Sequence, residues 1–458
     1  MPMMRSARLR TVVIAAAACV ASSAVPAIAS IPGERSWIHE LTEGRRPFAQ
    51  ESVAAPDGTA VYLVAYLLGG VRTLALDAAT GDEIWRTDRA TDGTILADRP
   101  TAVGVTPDGS TVVTVAGIPE DDVPFGDRNI LVTTYDATTG APGWTVRVDS
   151  GFYYGDDVAR AISFSPGSDV LYLVGSSINE GSCLDFVGHT LAAALDMTDG
   201  HTRWLVVGTG EHGSGATYEA GSIDAIVTSA DGEGLYVGGS LGEPDPCTGH
   251  DVDEPFVRAI DAATGITRWT VAGGGGSFSA MAEVPSDGRV VAARTGGVAA
   301  FDPTTGERLW RRGLRGTAPA TMLVVGEKGH RVYVAGPATD EVARVSAITT
   351  EEGTVRWTRT VSLAGSPLFS PNDLALSPGG LHLSADVMDP GGDVDAVVVT
   401  LELDDGTRSW TRRRSEPGNE RGCCLTVATG LVVSTFVAER SLESGGWDHD
   451  IVSIAYGT

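Results

Sequence analysis

The stretch VRAIDAATGITRWTV, residues 257–271, decides how the rest of the chain is read. An apolar run leads into an aspartate, a Thr-Gly pair follows, and a tryptophan stands four residues past the glycine. The aspartate can accept backbone N–H bonds across a turn, and the threonine can add a second acceptor. The glycine supplies the positive φ that closes the turn. Trp269 then opens a returning strand with a large flat side chain suited to packing on a neighbour. The stretch therefore reads as a β-hairpin and requires no catalysis.

The pattern recurs along the chain. Asp-x-x-Thr-Gly-x-x-x-Trp is complete at Asp77–Trp85, Asp136–Trp144, Asp261–Trp269 and Asp302–Trp310. Looser copies end at Trp204, Trp357 and Trp410, where Asp196, Thr349 or Glu402 takes the first position and Asp199, Glu352 or Asp405 precedes the glycine. A second hairpin lies upstream, marked by turns such as TPDGST (106–111), SADGEG (229–234), PSDGRV (285–290) and SPGGLH (377–382). Two hairpins make a four-stranded unit of roughly 40–65 residues, the size of a propeller blade. The 58 glycines, the abundant Thr and Val, and the scarcity of Met and Lys suit short strands and tight turns.

The termini predict closure. Gly33-Glu34-Arg35-Ser36-Trp37 has the Gly-to-Trp spacing without a preceding apolar strand, and DIVSIAYGT (450–458) is such a strand, stopping where the turn should begin. The expectation is an all-β, eight-bladed β-propeller whose last blade is completed by both termini. Trp37, Trp85, Trp144, Trp204, Trp269, Trp310, Trp357 and Trp410 are its blade-docking residues, and Trp447 falls outside the pattern. Seven blades would discard one good copy.

The first residues read as an address. Arg5, Arg8 and Arg10 precede the apolar run TVVIAAAACV (11–20), and Ala27-Ile28-Ala29 is a small-x-small cleavage site. The expected division is a removed signal peptide over 1–29 and a single propeller domain over 30–458, exported, secreted and monomeric. Lipid attachment at Cys19 is the alternative, set against by Ala16-Ala17-Ala18, a poor lipobox. No run is long enough for a transmembrane segment. The formal charge of −26, or −29 without those three arginines, argues against nucleic acid and anionic lipid as partners.

The repeats resemble the PQQ-like β-propeller family, the eight-bladed rings of quinoprotein alcohol dehydrogenases and of noncatalytic relatives of the BamB type. The resemblance spans roughly residues 33–458 and rests on A-x-D-x-x-T-G-x-x-x-W, which in that family docks each blade on the next. It implies the fold and says little of the activity, because the motif lies away from the cofactor. DVDAVVVTL (393–401) also resembles bacterial propeller repeats with Asp-x-Asp ahead of an apolar strand.

Function is expected on the face of the long loops that join second to third strands: 117–129, 176–190, 240–256 and 437–450. Asp251 with Asp253, Asp393 with Asp395, and Asp448 with Asp450 could ligate calcium, although aspartates at strand entries also serve as turn caps. Cys183 and Cys247 lie in equivalent loops; a disulfide there would close a loop of roughly 65 residues and contribute about 4 kcal/mol. His189 and His250 near them give only halves of a zinc site. Cys423 and Cys424 are adjacent and are placed in the connection into the last blade, as a structural vicinal disulfide or two thiols. The quinoprotein dehydrogenases carry a vicinal disulfide against their cofactor, but their calcium-binding Glu and Asn, catalytic Asp and stacking Trp find no match here.

Other features carry less. The Gly273–Gly276 run and GTGEHGSG (208–215) lack the setting of a phosphate cradle, and His212, His330 and His382 have no triad spacing. Tyr153-Tyr154 could stack on a sugar but suits packing better. The expectation is a noncatalytic binding or scaffold protein that takes a protein or carbohydrate ligand on the long-loop face, with no PQQ and, at most, calcium. A PQQ- and calcium-dependent alcohol or sugar dehydrogenase, and a glycan-acting hydrolase or lyase, are the alternatives.

Overall fold

The computed structural model describes residues 31–42, 48–67, 70–90, 99–119, 128–151, 156–180, 186–208, 221–241, 254–274, 276–294, 296–314, 322–338, 342–364, 366, 369–441 and 447–458. They form thirty-two strands and, among the described residues, no helix. The strands group into eight antiparallel four-stranded blades. Blades 1 to 7 span 48–90, 99–148, 156–207, 221–272, 278–313, 322–361 and 369–414, and blade 8 joins 420–457 to 35–42.

The shared last blade is as expected. Arg35–Thr42 pairs antiparallel with Trp447–Gly457, from Arg35 opposite Tyr456 to Thr42 opposite Asp450. The first strand of each blade contacts the first strand of the next, and that of blade 8, Glu420–Ala428, contacts Phe48–Ala54 of blade 1. The first strands thus surround a central channel. Blades 2 and 3 are additionally tied by one parallel bridge between Arg128 and Asp156.

Residue patterning follows position in the blade. Middle strands are covered on both faces by neighbouring blades and read as continuous apolar runs, as in Gly297–Phe301, where every residue is buried. Outer strands have one wet face and alternate, as in Thr267–Ala272. Blade-to-blade packing then gives eight apolar clusters.

The quoted motif works as its residue types predict. Gly265 N–H donates to the Asp261 carbonyl at 2.9 Å, and Asp261 Oδ1 accepts Thr264 N–H at 3.0 Å and its hydroxyl at 2.8 Å. Each tryptophan reaches into the turn of the following blade. Trp37, Trp85, Trp144, Trp204, Trp269, Trp310 and Trp357 donate Nε1–H to the carbonyls of Ala78, Ala137, Met197, Ala262, Pro303, Thr350 and Leu403, at 2.8–3.1 Å. Each accepting residue follows the first position of the next motif. The indoles lie so close to the turn glycines that a Cβ on Gly81, Gly140, Gly200, Gly265, Gly306, Gly353 or Gly406 would meet the ring at 2.5–2.8 Å. Trp410 covers Gly33 in the same way, so the docking contacts form a closed cycle of eight.

Four blades place a tyrosine beside the docking tryptophan, and blade 7 places a histidine there. Tyr62, Tyr172, Tyr236 and Tyr333 on second strands pack against Trp85, Trp204, Trp269 and Trp357, with ring centroids 6.0–6.2 Å apart. In blade 7 the partner of Trp410 is His382, at 5.9 Å. Its two ring nitrogens bond Ser377 Oγ and Thr400 Oγ1, each at 2.8 Å. Burial lowers its pKa to about 4, so it is a neutral core residue at pH 7.

Candidate functional site

The channel wall is built from the first strands, and seven of them carry a β-bulge near their start. The bulges fall at Gln50, Thr101, Arg160, Asp224, Ser279, Asn372 and Cys423, the residues skipped in each pairing register. A bulge adds one residue to one strand, disrupts the ladder locally and re-aims a side chain. Here it interrupts an inward-packing strand at one level with a polar residue or a cysteine. Because the first strands ring the channel, these seven backbone positions stand at one level of its wall.

This level of the wall has a charged side and a sulfur side. In blades 3 and 4, Arg160 Nε lies 3.4 Å from Asp224 Oδ1, and Asp224 Oδ2 accepts the Ser277 hydroxyl at 2.6 Å. Across the ring, Cys423 and Cys424 form a disulfide. Both are buried, packed with Leu41, Leu63 and Val437 at the junction of blades 8 and 1. The sequence placed this pair in the connection before the last blade. It lies instead inside the first strand, Glu420–Ala428, where Cys423 is the residue skipped by the bulge and Cys424 stays in register opposite Thr435.

Carboxyl groups frame the disulfide, and each ties a strand to the next. Asp386 Oδ1 accepts Asn372 Nδ2–H at 2.8 Å and Gly422 N–H at 2.6 Å. Asp373 accepts Leu374 N–H and, from blade 8, Leu425 N–H, both at 2.7 Å. Glu51 Oε2 accepts Val103 N–H of blade 2 at 2.9 Å. Burial, aided by the nearby charge of Asp373, pushes the Glu51 carboxyl up to about 8 against the pull of that N–H bond. Glu51 is therefore held protonated near neutral pH. Farther up blade 8, burial likewise raises Glu420 to about 8.

At the loop end of blade 3, Ser177 sits opposite Asp157 on one side and His189 on the other. All three are buried, and Ser150 Oγ lies 2.8 Å from Ser177 Oγ. Burial raises the Asp157 carboxyl and lowers the His189 imidazole. The residue types are those of a hydrolytic triad, but serine occupies the centre of the row, where activation of a nucleophile needs histidine. His189, read as half of a zinc site, lies within strand Phe186–Asp196, and Cys183 lies outside the described residues.

The long loops join second to third strands as expected, between Pro119 and Arg128, Glu180 and Phe186, Leu241 and Glu254, and Ser441 and Trp447. Cys183, Cys247, Asp251, Asp253, His250, Tyr153, Tyr154, His212 and the address segment with Cys19 lie outside the described residues. Of the remaining acidic pairs, Asp395 is buried and ion-paired with Arg413. Exposed Asp393 lies in a turn, its N–H donating to Asp389 Oδ1 at 2.9 Å. Asp448 and Asp450 fall in strand Trp447–Gly457, opposite Arg440 and Ala438. Among the described residues, no group of three or more His, Cys, Asp or Glu side chains is placed to hold a metal ion.

Sequence reasoning missed the bulges. Their signal is a polar residue eight positions before the turn glycine of the first hairpin: Gln50 before Gly58, Thr101 before Gly109 and Asp224 before Gly232. Arg160 stands at the same distance from Ser168, which takes the positive φ of 60° in blade 3.

Comparison with known proteins agrees with this architecture. The family model described as "Outer membrane protein assembly factor BamB" matches residues 21–243, 253–385 and 294–445. The quinohemoprotein alcohol dehydrogenase of Comamonas testosteroni is similar in structure, with a TM-score of 0.60 at 12% identity over 92% of this chain and 76% of that one. The quinohemoprotein alcohol dehydrogenase ADHIIG of Pseudomonas putida HK5 has a TM-score of 0.58 at 13% identity, over 93% and 76%. No curated protein matches the sequence. Among the described residues, no helix is long and apolar enough to cross a membrane.

Proposed function

We propose, on the premise that this chain belongs to the PQQ-like propeller family of the outer membrane assembly factor BamB, that it is a noncatalytic binding or scaffold module. It is exported by the segment over 1–29 and takes a protein or carbohydrate ligand at the channel mouth and long-loop face. The observation that carries this reading is how the channel carboxylates are used. Asp373, Asp386 and Glu51 accept backbone N–H groups that join one strand to another, and Arg160 neutralises Asp224. Such groups are engaged in holding one strand to another and one blade to the next.

A second reading, a PQQ-dependent dehydrogenase, is favoured by the vicinal disulfide in the channel wall. The described residues do not fit that cofactor with its cation. The carboxylates nearest the disulfide are already engaged as interstrand acceptors, and the eight repeat tryptophans all dock at the opposite end of the ring. No catalytic step is therefore derived through it. Incubation of the purified chain with PQQ and calcium, followed by dye-linked oxidation of alcohols and sugars, tests the proposal. No turnover is expected, and turnover that disappears in Asp373→Asn would replace this reading with the dehydrogenase.

A further inference from the structure

The outer wall at the seam of blades 7 and 8 holds a cleft of about 350 Å³, remote from the channel lining. Arg35, Arg412, Arg413 and Arg414 converge on it, together with Glu416 and Tyr456. The volume lies at the lower end of the range for small-molecule sites. Four guanidinium groups in one cleft repel one another unless each has a countercharge. Two of them have one. Arg413 pairs with Asp395, and Arg414 Nη2 lies 3.1 Å from Glu40 and 3.2 Å from Glu416.

The other two differ. Arg412 Nε donates to the Gly33 carbonyl at 2.6 Å, and its guanidinium lies over the Trp410 ring, 6.0 Å from the centroid. A carbonyl and an aromatic face fix the side chain without neutralising it. Among the described residues, neither Arg35 nor Arg412 has a carboxylate partner. Uncompensated positive charge thus persists in a preorganised cleft on a chain of net charge −26. The surrounding acidity disfavours a polyanion or an anionic membrane and leaves a small solute as the fitting occupant.

We propose that this cleft is a binding site for a small soluble molecule carrying an oxyanion, a phosphate or a carboxylate, held by Arg35 and Arg412 beside Tyr456. Planar guanidinium forks match such groups through paired charge-assisted bonds. The site lies where Arg412 and Trp410 clasp Gly33 to close the ring, so a bound anion bridges the seam. It stands whether or not the channel takes a ligand.

The test is thermal unfolding of the full chain with inorganic phosphate or acetate, against chloride at equal ionic strength. A ligand that binds only the folded state raises Tm along a saturation curve. The expected result is a saturable rise with at least one of the two anions, which also identifies the preferred group. Arg35→Gln should weaken it about tenfold, the effect of losing one charge-assisted pair. Arg412→Lys keeps the charge but loses the fork and should weaken it too. Arg311→Gln, on the outer strand of blade 5, should leave it unchanged. The proposal is overturned if neither anion gives saturation, or if Arg35→Gln binds as wild type does. It is equally overturned if the chain binds phosphatidylglycerol vesicles while ignoring both free anions.

Discussion

The two ends of the ring follow opposite rules. At the docking-turn end, eight blades repeat one arrangement of tryptophan on glycine, down to the accepting carbonyl in seven of them. At the channel end, one bulge position holds Gln50, Thr101, Arg160, Asp224, Ser279, Asn372 and Cys423, a different residue in each blade. Repetition within one chain reflects a demand that every blade shares, which is packing on its neighbour. Divergence at an equivalent position shows that packing does not dictate the residue. Stability is therefore concentrated at the turn end, and chemistry specific to this protein at the other.

The largest effect should come from breaking a dock. Trp357 is 6% exposed, its Nε1–H is 3.1 Å from the Leu403 carbonyl, and it belongs to the largest apolar cluster. Trp357→Ala should cost about 3–5 kcal/mol in urea unfolding, through the cavity and the orphaned carbonyl. Gly306→Ala attacks the same contact from the other side. The glycine has φ +72°, and a Cβ there would meet Trp269 at 2.7 Å. A loss of about 2 kcal/mol is expected from the backbone penalty and the clash.

Smaller effects depend on pH. Glu51 is raised to about 8 in the folded chain, from a reference of 4.5. The folded state then binds the extra proton between those values, so this contribution is complete below pH 4.5 and is lost as pH rises through 8. Glu51→Gln, which can still accept the Val103 N–H, should flatten the decline in stability from pH 5 to 8. His382 behaves oppositely. Its pKa of about 4 lies below the reference of 6.5, so stability is full above pH 6.5 and falls as pH drops through 4. His382→Tyr, which installs the residue found in blades 1, 3, 4 and 6, should remove that acid-side loss. A pH series of urea midpoints measures both slopes.

This contrast also explains what was legible in the sequence. The hairpin motif acts through contacts within a few residues, so Asp261, Gly265 and Trp269 declare their roles by type and spacing. Blade 8 was legible for the same reason, because two half-motifs at the termini complement each other. The bulges were not, since a bulge is a property of pairing between strands and has no residue type of its own. That is why Cys423 and Cys424 were expected before the strand rather than within it. The spacing of His382 fits no triad, and its place beside Trp410, where blades 1, 3, 4 and 6 carry tyrosine, is set by strand register rather than by sequence spacing. The cleft at the seam draws Arg35 together with Arg412, Arg413 and Arg414 from nearly opposite ends of the chain, a proximity that ring closure alone creates.

The division of labour between the two ends is tested most directly by one urea titration of two variants. Trp269→Ala removes a docking side chain whose Nε1–H reaches Pro303, and Thr101→Ala removes a bulge side chain whose hydroxyl has a single long bond of 3.3 Å to Val115. The account predicts a loss of about 3 kcal/mol for the first and at most about 0.5 kcal/mol for the second. Equal losses, or an unchanged midpoint in Trp269→Ala, would contradict it.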